Sequence, residues 1–158
     1  MIITEEPEIR HLIFRKELEM AYSGFLIKVG SYTIPFRYIE AKKYKCSIKG
    51  QDLDSYRDAN GVLHREALSN VAIKVEWETP NDIDEAALRP LMDSIRSQYS
   101  NATEKKALVT AWMPEIGNYV TMDCYLPDVE YQIDYADENT VKYGAFRLAF
   151  IGYGGVIG

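Results

Sequence analysis

Histidine and cysteine are scarce in this sequence of 158 residues, with two of each. The histidines, His11 and His64, lie far apart, and Cys46 and Cys124 form no Cys-x-x-Cys pair. A zinc site needs three or four such ligands, and no His-x-x-x-His or His-Glu-x-x-His spacing begins one. Gly-x-Ser-x-Gly, which places a nucleophilic serine, is missing, as is the phosphate-cradling Gly-x-x-x-x-Gly-Lys. Gly152, Gly154, Gly155 and Gly158 close a strand-like run with no helix after them, which argues against a dinucleotide site. These gaps lead to the expectation of no enzyme, no catalytic residues, no metal and no cofactor.

Long apolar runs are also missing. None approaches the roughly 18 residues of a membrane span. The opening Met1-Ile2-Ile3-Thr4-Glu5-Glu6 is acidic early and lacks the basic-then-apolar layout of a signal peptide, so synthesis in the cytoplasm is expected. Basic excess is lacking too. The net charge is −6 and the pI about 5.0, which argues against a nucleic-acid-coating surface. An acidic surface still suits a channel wall past which nucleic acid slides without sticking. With only two cysteines and no sign of an oxidising compartment, both read as small apolar core residues rather than a disulfide. Internal repeats and low-complexity tracts are absent.

What is there reads as one β-rich domain. The length suits a single domain with a real hydrophobic core. Residues 1–23 are charge-dense and only partly periodic, and read as an N-terminal arm. From residue 24 to 158 the pattern is of strands. Phe25 to Val29 is apolar and closed by Gly30-Ser31. Tyr32 to Phe36 carries Pro35 and reads as an edge or turn. Tyr44, Cys46 and Ile48 alternate with Lys43, Lys45, Ser47 and Lys49, and Val71, Ile73, Val75 and Trp77 with Lys74, Glu76 and Glu78, as in half-buried strands. Ala107–Met113, Tyr119–Leu126, Val129–Tyr135 and Val141–Tyr153 complete a meander, with turns at Pro114–Asn118 and Asp137–Thr140. One helix is predicted over about 82–100. Acidic residues stand at its start, and Ala87, Leu88, Leu91, Ile95 and Tyr99 form its apolar stripe. Pro90 either kinks it or marks where its regular part begins. Strands around one helix, without βαβ alternation, predict a mainly β fold: a β-sandwich or partly closed barrel with one flanking helix.

Gly50 to Asn70 is too long for a tight turn, and connections of that length are usually functional or disordered. Asn60-Gly61 gives it a tight tip, so a protruding loop is expected. Asp52, Asp54, Asp58 and Asn60 before Gly61 suggest a calcium loop. However, aligning Gly61 with the loop glycine puts Tyr56 at the first ligand position and Ala67 at the last, and both fail. A turn whose acids bond their own backbone is the simpler reading. Twelve tyrosines, among them Tyr131, Tyr135, Tyr143 and Tyr153, suit a surface partly buried against another protein, although β-rich proteins favour tyrosine anyway.

Several segments together resemble a family of small tail-region proteins from phages and prophages of Gram-positive bacteria. They are Lys28-Val29-Gly30-Ser31-Tyr32-Thr33-Ile34-Pro35, the loop from Gln51 to Arg65, Lys74-Val75-Glu76-Trp77, and Phe146-Arg147-Leu148-Ala149-Phe150-Ile151. The loop is the specific part, and the N-terminal arm departs from the pattern. The resemblance implies a virion component, similar in layout to tail-tube and distal-tail subunits that form hexameric rings, with a long loop reaching a neighbouring subunit. The partners implied are further copies of the chain and other tail or baseplate proteins. DNA would pass through the lumen without specific binding, no membrane would be involved, and assembly would take place in the host cytoplasm. The loop's interface residues would be Asp52, Asp54, Arg57, Asp58, Arg65 and Glu66 as charges paired across the contact, with Tyr56 and Leu63 as buried anchors. The alternative is a carbohydrate- or protein-binding module of a receptor-binding device. It would need exposed clustered aromatics, for which Trp77, Trp112 and Tyr119 are candidates, although alternation favours the core for Trp77.

Overall fold

A computed structural model describes residues 21–157. The N-terminal arm expected over 1–23 lies, up to residue 20, outside the described residues.

Alternation of apolar and polar residues builds the main sheet. Val29 and Tyr32 pair across Gly30-Ser31, joining β1 (Ile27–Val29) to β2 (Tyr32–Thr33). Gly30 has φ +59°, as the first central position of a type II′ turn requires. The next strands are β3 (Lys45–Lys49), β4 (Asp52–Arg57), β5 (Leu63–Ala67) and β6 (Ala72–Glu78). β7 (Ile83–Asp84) leads directly into α1 (Glu85–Ser97). β8 (Lys106–Met113), β9 (Asn118–Tyr125), β10 (Ile133–Ala136), β11 (Val141–Tyr143) and β12 (Arg147–Gly152) follow. Seven strands form one antiparallel sheet in the order β2-β1-β8-β9-β12-β6-β3, while β10-β11-β7 form a small second sheet and β4-β5 a separate pair. The fold is mainly β with one flanking α-helix among the described residues, as the alternation predicts.

The inward residues make one core. Ile27, Ile73, Val75, Val109, Leu148 and Phe150 are fully buried and share a cluster with Leu88, Leu91, Met92 and Ile95 of α1. Each fully buried side chain of this size contributes about 1.5–3 kcal/mol relative to exposure. The main sheet curls on itself. The Tyr44 hydroxyl, just before edge strand β3, reaches the carbonyls of Leu26 at 3.2 Å and Trp112 at 3.4 Å, beside β1 and on β8. Burial pushes that phenol's pKa up. Cys124 is buried and Cys46 half-buried, both free, and burial raises the Cys124 thiol to about 12.

Four elements differ from their sequence expectation. The strand expected over Val129–Tyr135 is only Ile133–Ala136 and pairs with β11 outside the main sheet, so the last third is not one meander. The helix begins at Glu85 rather than 82 because Ile83 and Asp84 pair with Tyr143 and Lys142, and the Asp84 carboxylate caps the Ala87 N–H at 2.9 Å. Pro90 lies inside the helix. It withholds the N–H that would reach Ala86, and both residues are exposed, so the freed carbonyl stays open to solvent. Buried Tyr38 donates to the next carbonyl, Ala87, at 2.7 Å. The single strand expected over Val141–Tyr153 is two, β11 and β12, because the intervening N–H groups turn to other partners. Gly144 N–H reaches the Gln132 carbonyl at 3.0 Å, Ala145 N–H the Asn81 side chain at 2.9 Å, and Phe146 N–H the Thr79 hydroxyl at 3.1 Å. Finally, the segment read as a protruding loop with a tight tip is a two-stranded hairpin.

Candidate assembly interface

The hairpin runs from Asp52 to Ala67, and almost every residue in it is exposed. Among the described residues its strands pair only with each other. The tip forms because Asp58 can bond its own backbone. Asp58 Oδ1 accepts from the N–H groups of Asn60 at 2.9 Å and Val62 at 3.0 Å, and Gly61 takes φ +80°. Asp58 Oδ2 meets His64 Nε2 at 2.9 Å, and this contact holds the Asp58 carboxyl below its usual range. At the base, Arg65 forks onto Asp52 at 2.7 and 3.1 Å, which lowers the Asp52 carboxyl pKa in the same way. Arg57 donates to the Gly61 carbonyl at 2.9 Å. The carboxylates of Asp52 and Asp58, which suggested calcium in the sequence, are thus engaged by the hairpin itself.

The register sorts these side chains onto two faces. Directly paired residues share a face, and neighbours along a strand alternate. Leu53 opposes Glu66, and Tyr56 opposes His64 with the rings stacked at 4.9 Å. Arg57 and Leu63 form another directly opposed pair, and Asp52, Arg65 and Ala67 lie with them on the reverse face. Between Leu53 and Tyr56 the register shifts by a bulge, where Asp54 sits at φ +51°. One face is therefore apolar and aromatic (Leu53, Tyr56, His64) with one acid, Glu66. The other is closed by the Asp52–Arg65 pair. Tyr56 is 61 % exposed and Leu63 44 %, so the two residues expected to anchor together lie on opposite faces. Asp54 and Glu66 make no ion pair among the described residues. Sequence reading missed His64 and Leu53. Counting the register outward from the Asn60-Gly61 tip is the signal that places His64 opposite Tyr56.

A second exposed apolar feature lies along α1. Met92, Arg96 and Tyr131 line two adjoining hollows of about 730 and 320 Å³. One continues to Tyr99, Lys105, Leu126 and Val129, the other to Leu88, Arg89, Ile133 and Tyr143. Tyr131, Ile133 and Tyr135, which alternate with polar residues along the chain, are exposed.

The aromatics proposed for a sugar-binding face are arranged differently. Trp77 is buried and stacks on Phe150 at 6.1 Å. Trp112 and Tyr119 do cluster, edge to face at 5.2 Å, with Tyr22 and Phe25 packed against them. The Tyr119 hydroxyl accepts from Ser23 N–H and donates to the Phe25 carbonyl, both at 2.8 Å. The cluster thus fastens residues 22–25 onto the sheet, with its rings turned to one another.

The chain belongs to a family of unknown function, DUF6711, whose model matches residues 20–153. No curated protein matches the sequence. Among solved structures it is similar to a chain of the virion of a native gene transfer agent particle, at TM-score 0.49 and 13 % identity over 85 % of this chain and 96 % of that one. It is also similar to a chain of the tail of an empty gene transfer agent particle of C6 symmetry, at TM-score 0.44 and 14 % identity over 87 % and 100 %.

Proposed function

We propose that this chain is a non-enzymatic structural subunit of a bacteriophage tail, in the tube or in a distal ring at the baseplate, with the hairpin as its inter-subunit clamp. The observation that carries the reading is the hairpin itself. An isolated two-stranded ribbon is marginal in water, and this one also exposes Leu53, Tyr56, Val62 and Leu63. Such a ribbon gains its order when a second surface covers it. The sequence resemblance to tail-region proteins, strongest in this same segment, supplies the class of assembly. The ring would be hexameric and built in the host cytoplasm, and its acidic wall would let DNA pass without adhering.

Deleting Ser55 to Val62 and closing the gap with Asn-Gly tests the clamp. The variant is expected to keep the melting behaviour of the body, whose core the hairpin does not touch, and to lose assembly. A variant that folds and assembles as the parent does would overturn the reading.

A further inference from the structure

Resting on the reading of the hairpin as a clamp, we infer that its receptor is the trough along α1 of a second copy of this chain. The two surfaces match in chemistry. The hairpin offers Leu53 and Tyr56 beside Glu66, an acid without an ion-pair partner among the described residues. The trough has Met92, Tyr131 and Ile133 as its apolar lining, and its charged lining residues are Arg89, Arg96 and Lys105 against one acid, Asp93. Arg96 is largely exposed and only loosely held, at 4.0 Å from Asp93, so it is free to turn to a carboxylate.

A second copy fits as occupant because the acid on the hairpin face and the guanidinium in the trough complement each other, and among the described residues the hairpin strands pair only with one another. Two different patches meeting head to tail form a heterologous interface, which closes into a ring when the rotation allows. An aromatic anchor in an apolar hollow with a charge at the rim is the usual anatomy of such a contact. The bulge at Asp54 twists the ribbon locally, as bulges do where a strand re-aims its side chains.

The test is site-specific photo-crosslinking in assembled protein. A benzophenone amino acid replaces Ser55, which neighbours Tyr56 in the bulge, and mass spectrometry maps the adducts. Inter-chain adducts within residues 88–96 or 126–133 are expected. Inter-chain adducts elsewhere would overturn the trough as receptor and leave the hairpin clamp standing. Assembled protein without inter-chain adducts from this position would overturn both. An independent arm uses charge exchange. Arg96→Glu is expected to raise the concentration needed for assembly about tenfold or more, since like charges at a contact suppress it, and Glu66→Arg in the same chain to restore it. Failure of the second change to restore assembly, with melting unchanged in both variants, would overturn the pairing of these two residues.

Discussion

Thr79 is the only polar side chain buried in the core among the described residues, and it holds the seam where two sheets part. Its N–H donates to the Phe146 carbonyl at 2.9 Å, and its hydroxyl accepts from the Phe146 N–H at 3.1 Å. Thr79→Val keeps the shape and strands that N–H in a dry place. The expected loss is about 1–3 kcal/mol in urea unfolding, the cost of an unmet buried donor. A loss under a few tenths would show that the hydroxyl is dispensable there. No sequence pattern marks this residue, because its partner is 67 positions away. Trp77, two residues earlier, is legible as core because alternation is a local property. The free thiols are legible in the same way, as buried or half-buried members of alternating strands.

At the scale of elements, the hairpin is held by side-chain contacts at its tip and base rather than by a core. Asp58 on His64 and Asp52 on Arg65 both have carboxyl pKa values below the usual range, in each case mainly through those hydrogen bonds. Carboxyls depressed in the folded state contribute stability above their unfolded value, 3.8 here, and lose it as pH falls through the folded value. On acidification below about pH 4, amide protection over residues 52–67 is therefore expected to vanish before that of β8 and β9. Hydrogen exchange read by mass spectrometry resolves the two regions. Simultaneous loss at one pH would contradict this account of the hairpin. The turn at Asn60-Gly61 is plain in the sequence, and so is the protrusion. The strands are not, because the bulge sets Leu53 and Tyr56 three residues apart and erases the alternation. The break at residues 144–146 is hidden for a different reason. There the apolar positions change phase, from Val141 and Tyr143 to Phe146, Leu148 and Phe150, but Gly144-Ala145 blurs the slip and only the change of hydrogen-bond partners reveals it.

For the whole molecule, the mainly β architecture and its flanking helix follow from patterns within single segments. The curl of the sheet, the trough and the sorting of the hairpin's faces depend on register and on distant pairs, and the sequence does not carry them openly. The molecule's outline is a well-packed body with an exposed ribbon and an exposed apolar trough. Neither feature stabilises a lone chain, and both gain from association. The most direct test of that claim is the native mass of the purified protein across a concentration series, by light scattering, with negative-stain images of the largest species. The account predicts growth with concentration into rings or stacked tubes of closed symmetry. A monomer at every concentration would contradict it.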